Sequence, residues 1–393
     1  MADLWIANTI ADLIQGDVRE HLPLERIPLE GDVLGLGTTT SFDNGELTFL
    51  HEPGQNRTRI WKAMALDGGV RPLSSGDGSS HFPYVCYSSN LSGQGVVVDL
   101  AQLGPQEGRP LQQLVGEAIT LLRRQGLLAE SPIVGLRLQA HWQSLVITVS
   151  SKLCLGQGRR NAALCAAKPE DGAAIYSRLP HYRLAPSDPG DPSDPIHYLG
   201  ASLDWDCCGF WDSEPSLGRV TVPVADDHLH LHGCSLDLRQ GGHLLHEHPG
   251  TRLGRIERLL LYPLQNLHSL AADLAVEAAS WSGAELCFNV VNRGELDVND
   301  VGVAVVIDNS YASHRYLRIP WLAAGGSESF CLPLQLPPGP HRLQVLVDPE
   351  RDVLERDTSN NSVELAACGT AAAAALASGA AKAVVSGADA AAR

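Results

Sequence analysis

Asp227-His228-Leu229-His230-Leu231-His232-Gly233-Cys234-Ser235-Leu236-Asp237-Leu238-Arg239-Gln240-Gly241-Gly242-His243 alternates histidine with leucine and then reaches a glycine pair. Successive side chains of a β-strand point to opposite faces, so His228, His230 and His232 are expected on one face. Gly241-Gly242 is a turn signal, and it predicts that His243 returns beside them. Imidazoles from a strand and its return can surround a metal ion. Three neutral ligands leave a fourth position open, as in catalytic rather than structural zinc sites. The competing reading is a histidine-rich surface strand with no ligand; the partner across the hairpin favours the metal.

Working outward, 393 residues and 42.0 kDa are enough for two domains or three. The 44 % hydrophobic content, 38 Gly and 24 Pro point to a turn-rich, strand-rich globular chain. A net charge of −16 argues against nucleic acid or an anionic membrane as the main partner. No apolar run approaches a membrane span, and Met1-Ala2-Asp3-Leu4-Trp5 lacks the start of a secretory signal. Nine cysteines without C-x-x-C spacing predict mostly free thiols in a reducing compartment, hence a cytoplasmic location. Cys207-Cys208 reads as core filling.

Residues 3–30 have helical spacing at Ile6, Ile10, Leu13 and Ile14, which predicts a helix and a short second element. Asn44-Gly45 is a hairpin turn, so Glu46 should begin a returning strand. The nearby glycines lack a following Gly-Lys-Ser/Thr, so no phosphate loop is expected. Strands follow near 82–100, then an amphipathic helix over 111–128 and a hairpin formed by 133–138 and 142–149. Residues 187–195 read as an exposed loop, and 255–264 as the last strand of this domain. From Asp273 the chain alternates through Leu286, Phe288 and Val290, then Val301, Val303, Val305 and Ile307, predicting a small β-sandwich. Residues 369–393 are Ala/Gly/Ser low complexity and read as a tail.

The first domain resembles the acetolactate decarboxylase family from about Leu4 to Leu264, apart from an insertion at about 154–205. The carrying residues are Asn8-Thr9-Ile10-Ala11-Asp12-Leu13, Gly31-Asp32, Gly35-Leu36-Gly37-Thr38, Gly45-Glu46-Leu47 and Gly209-Phe210-Trp211. His230-Leu231-His232 with Gly241-Gly242-His243 is the most specific match. The resemblance implies His230, His232 and His243 as ligands of Zn²⁺, with His228 a neighbour; Fe, Ni or Co also suit imidazole. It also implies Glu46 as an acid/base group, with Thr38 beside it and Arg137 as a charge on the first hairpin strand. The implied substrate is 2-acetolactate or a related small 2-hydroxy-3-keto acid, decarboxylated to acetoin or its analogue. Two family features are missing. Thr148 stands where the family has an arginine, and neither Glu257 nor Glu277 matches its C-terminal glutamate.

Residues 272–367 look like the CARDB module, an Ig-like sandwich, on Asn289-Val290-Val291-Asn292-Arg293-Gly294, Ala324-Gly325-Gly326-Ser327, Pro337-Pro338-Gly339 and Asn360-Asn361. That resemblance implies a bacterial interaction module for a protein or glycan. The expected architecture is therefore α+β: a mixed-sheet metal-binding domain over 1–268, an Ig-like sandwich over 272–367 and a tail over 368–393. The alternative function is a decarboxylase-like domain impaired in catalysis that serves, with the sandwich, in binding or adhesion.

Overall fold

The computed structural model describes residues 2–11, 22–39, 45–64, 68–73, 81–148, 197–200, 202–223, 226–351, 353 and 355–369. The chain forms two compact units, Met1–Leu270 and Ala271–Arg393. In the first, the chain runs through β1 (Ala2–Ala7), β2 (Leu22–Pro23), β3 (Leu34–Thr39), β4 (Gly45–Glu52), β5 (Arg57–Met64) and β6 (Val70–Pro72). There follow β7 (His81–Phe82), β8 (Tyr84–Ser88), β9 (Val96–Val97) and the helix α1 (Leu111–Arg124). Then come β10 (Ile133–Ser144), β11 (Val146–Thr148), β12 (His197–Leu199), β13 (Asp204–Asp212), β14 (Leu229–Ser235), β15 (Gly241–Leu244) and β16 (Arg252–Leu270).

One 14-stranded mixed sheet holds most of these, in the order β12-β11-β15-β14-β13-β10-β16-β1-β8-β3-β4-β5-β6 with β9 on β16. It is mixed because β1 runs parallel to β16 and antiparallel to β8. The sheet curls until distant strands meet: β13–β15 pack against β3–β5, and Gly241 N–H donates to the Gly68 carbonyl at 2.8 Å. Two cores result. Outside the curl, α1 presents Leu111, Leu114, Val115, Ala118, Ile119 and Leu122, at helical spacing, to Leu136, Leu138, Cys207, Leu229 and Leu231. Inside it, Leu34, Leu36, Tyr84, Cys86, Cys208 and Phe210 pack together. Cys207 and Cys208 thus fill opposite faces of one strand.

The molecule is more β-rich than the α+β expectation: among the described residues the helical stretches are Leu111–Arg124 and, within the expected opening helix, Ile10 and Ala11. The opening segment corrects the sequence reading. Residues 2–7 are a strand, because Leu4 and Ile6 also satisfy a period of two and both edges of β1 find partners. Asn8 ends it at φ 64°, its amide donating to the Pro83 carbonyl at 3.0 Å. Leu13 and Ile14 lie outside the described residues. The expected 133–149 hairpin is also corrected. Ile133–Ser144 runs on as one strand bonded to β13 and β16 on its two sides, and β11 pairs with β12 and β15 instead. No turn residues stand between Leu138 and Trp142 to force a reversal. The returning strand after Asn44-Gly45 forms as expected, with β3 antiparallel to β4, although residues 40–44 lie outside the described set. The 187–195 loop and the low-complexity tail beyond Gly369 also lie outside it.

The second unit contains β17 (Leu274–Trp281), β18 (Glu285–Asn292), β19 (Val298–Ile307), β20 (Ser310–Leu322), β21 (Ser327–Pro333), β22 (Gly339–Val347) and β23 (Ser362–Gly369). They form a three-stranded sheet β17-β18-β21 and a four-stranded sheet β20-β19-β22-β23. Leu286, Phe288, Val290, Val301, Val303, Val305, Leu343, Val345 and Val347 share the core between them, as the alternation predicts. One expectation on cysteine changes here. Cys287 and Cys331, directly opposite on β18 and β21, form a disulfide, whereas Cys86, Cys207, Cys208, Cys234 and Cys368 are free.

Candidate metal centre

Strand β14 divides its residues between the two cores. Leu229 and Leu231 enter the helix-side core, so His230 and His232 project into the curl. The backbone of β13 must approach closely for this. A Cβ on Gly209 would lie 2.1 Å from the His230 carbonyl oxygen, which only glycine avoids. The hairpin turn is carried by residues 236–240 rather than by the glycine pair. The Ser235 hydroxyl donates to Asp237 at 2.6 Å and accepts from the Gln240 amide at 3.0 Å, and Leu238 adopts φ 55°. Gly241 and Gly242 are already strand, opposite Cys234 and Gly233, and this register puts His243 directly across from His232.

The three rings converge. Their centroids are 4.8 Å (His230–His232), 4.9 Å (His230–His243) and 5.4 Å (His232–His243) apart. One ligand nitrogen from each lies within 4.8 Å of the other two. His230 Nδ1 donates to the Val220 carbonyl at 2.6 Å and His232 Nδ1 to the Leu47 carbonyl at 2.9 Å. A carbonyl can only accept, so each Nδ1 carries the proton and each Nε2 offers a lone pair. Those two Nε2 atoms are 3.0 Å apart. Two lone pairs facing each other at that distance repel unless a cation or a proton lies between them. Burial disfavours the proton: it pulls His230 down to about 4, and burial with the neighbouring His230 holds His232 well below the usual imidazole range. A tetrahedral zinc with Zn–N of about 2.0–2.1 Å spaces its ligand nitrogens by roughly 3.3 Å. The donor set therefore fits a divalent ion, and the Val220 and Leu47 carbonyls orient two of its histidines as such partners usually do.

His228 does not join the set. It precedes β14, donates from Nδ1 to the Asp212 carbonyl at 2.7 Å, and stacks on Trp211 at 4.9 Å on the helix side. Glu46 does reach the centre: its Oε2 is 3.6 Å from His232 Nε2. Burial pushes its carboxyl up to about 8, so without a cation beside it the group holds its proton at neutral pH. Thr38 lies directly opposite Glu46 across β3 and β4, its hydroxyl donating toward the Gly45 carbonyl at 3.2 Å. Tyr84 was not anticipated. It is the cross-strand partner of Thr38, is fully buried, and lies nearly parallel to the His230 ring with centroids 6.4 Å apart.

Arg137 is not brought to the histidines. Its register partner Cys208 stands between it and His232 in the row Arg137–Cys208–His232. Its guanidinium is occupied by Asp32 Oδ1 at 2.5 and 3.1 Å, the Val33 carbonyl at 2.8 Å and the Phe49 carbonyl at 3.0 Å. These bonds tie β10 to β4 and to the segment just before β3. Thr148, in contrast, lies directly across from His243. Glu257 is an exposed partner of Arg255, and Glu277, in the second unit, pairs with Arg293. A narrow cleft beside His230 and His243 is lined by Val222, Asp227, Leu229, His246 and Glu247.

Residues 272–365 match the CARDB family. Among solved structures, the second unit is similar to a crystal structure of the CARDB domain of a Pyrococcus furiosus protein in complex with di-metal ions. Identity is 22 %, with 25 % of this chain and 90 % of that one covered and a TM-score of 0.22. An NMR structure of the same Pyrococcus furiosus domain gives 21 %, 26 % and 97 %, with a TM-score of 0.23. A domain of a Methanosarcina acetivorans protein assigned to the cell surface gives 19 %, 26 % and 95 %, with a TM-score of 0.23. No curated protein matches the chain. These matches lend no support to the decarboxylase resemblance of the first unit. No described helix is long and apolar enough to cross a membrane. Residues 272–365 are a CARDB domain.

Proposed function

We propose that the first unit holds Zn²⁺ through His230, His232 and His243 and decarboxylates 2-acetolactate or a related small 2-hydroxy-3-keto acid. The observation that carries the metal is the pair of Nε2 lone pairs 3.0 Å apart in rings pinned by backbone carbonyls. When bound, the ion supplies positive charge that stabilises the electron pair left behind as CO₂ departs. Glu46, buried beside His232, is the acid/base group placed to deliver a proton to the carbon that lost CO₂. Leu47, whose carbonyl fixes His232, is the next residue in β4, so one strand orients both the ligand and the acid. On the inner side of the centre Tyr84 and Phe210 are buried, which favours a site of low polarity.

A second reading is favoured by Arg137 and Thr148. With Arg137 engaged by Asp32, and a short hydroxyl rather than a guanidinium opposite His243, neither position supplies a guanidinium to clamp a substrate carboxylate. On that reading the unit binds metal without the reaction and serves, with the CARDB domain, in binding a protein or glycan. Zinc-loaded protein given racemic acetolactate separates the two. The decarboxylase reading predicts acetoin formation well above that of His232→Ala; equal rates in the two proteins leave only the binding reading. The cytoplasmic location also stands as a proposal, resting on the free thiols of the first unit.

A further inference from the structure

The described residues on the inner side of the centre are buried. His232 is 2 % exposed and His230 6 %, and behind them lie Tyr84 at 1 % and Phe210 fully buried. Of the three candidate ligands, His243 is the one left half-buried. Beside it opens the cleft whose floor is His230 and His243 and whose walls include Asp227, His246 and Glu247. Among these lining residues two are carboxylates and none is Lys or Arg. Glu247 is exposed, Asp227 half-buried and His230 buried, so acidic groups stand between solvent and the imidazoles.

We propose that this cleft is the uptake route for the divalent cation, with Glu247 and Asp227 steering it and His246 offering a transient ligand on the way in. The proposal rests on the reading that His230, His232 and His243 bind the ion, and adds how the ion arrives. A buried site needs such a path, because a hydrated cation must exchange water for protein donors as it enters. Carboxylates at a cleft mouth concentrate cations there and raise association rates. His246 is placed for the exchange. Its Nε2 donates to the Leu229 carbonyl at 2.8 Å, which leaves Nδ1 as the ring nitrogen able to accept a cation. That Nδ1 is 3.7 Å from Glu247 Oε2. Donor–metal distances of about 2.0–2.2 Å let one cation touch both atoms at once. The next donor along the cleft is His243, three residues earlier on the same chain segment.

The test is the rate of Zn²⁺ uptake by metal-free full-length protein, followed by stopped-flow competition with a chromophoric chelator. Wild type is compared with Glu247→Gln, Asp227→Asn and the double variant. The expected result is an uptake rate about tenfold lower in the double variant at low salt. The difference should vanish near 1 M salt, where the Debye length falls to about 3 Å. Final stoichiometry should remain that of wild type, since no ligand to the ion has been removed. Glu247→Gln alone, at an exposed position that tolerates substitution, should show part of the same slowing. Uptake at the wild-type rate and with the wild-type salt dependence in all three variants would overturn the route while leaving the metal centre standing. Failure of wild type itself to take up Zn²⁺ would overturn the centre, and the route with it.

Discussion

Glu46→Gln should lower zinc-dependent acetoin formation by about a hundred- to ten-thousand-fold, the usual loss when a positioned acid or base is removed. The substitution keeps the shape of the side chain and removes its proton chemistry. A second readout, in the metal-free protein, is independent of turnover. Glu46 sits at about 8 in the folded chain against an ordinary carboxyl value of 4.5. Its contribution to stability is complete below pH 4.5 and is lost as pH rises toward and through 8, because over that range the unfolded chain ionises first. Metal-free Glu46→Gln should therefore lack this loss, and its urea midpoint should fall less between pH 5 and 8 than that of wild type (a range of about three pH units). Turnover equal to wild type would remove Glu46 from the reaction. An unchanged pH dependence would show that the carboxyl is not buried beside His232 as described.

Arg137→Met should cost about 3–5 kcal/mol of stability, the range for breaking a buried ion pair by removing one partner. The two side chains are 13 % and 12 % exposed, and the guanidinium also serves two backbone carbonyls, Val33 just before β3 and Phe49 in β4. The double variant Arg137→Met/Asp32→Asn should recover part of the loss, since it leaves no uncompensated charge. Denaturant midpoints of the two single variants and the double variant measure the coupling. A loss below about 1 kcal/mol for Arg137→Met would mean that the pair does not hold β10 to the curled edge.

How much of this could be read from the chain depends on the range of the interactions involved. The histidine strand is local information: alternation puts His230 and His232 on one face, and the short return puts His243 opposite. Alternation could not exclude His228, because the strand begins one residue later and Trp211 takes the ring to the other side. Glu46 was legible as a residue after a turn, but its approach to His232 depends on a sheet that curls across 185 residues of sequence, as the His232–Leu47 hydrogen bond spans. Arg137 had the right strand and the wrong neighbour: its fate is set by Asp32, 105 residues away. The β1 strand was misread because Ile6 and Ile10 fit a helix equally well, and only the two flanking strands decide. The CARDB sandwich was the most readable part, since its core follows period-two alternation almost throughout. Its disulfide had no signature, because Cys287 and Cys331 meet through register rather than spacing.

The most direct measurement is the metal content of the purified full-length protein against that of His243→Ala, by elemental analysis after equilibration with Zn²⁺ and removal of free ion. His243 is half-buried at the end of the hairpin, so the variant should keep its fold. A centre built from His230, His232 and His243 predicts a stoichiometric ion in wild type and loss of most of it in the variant. Equal metal content in the two proteins would contradict it.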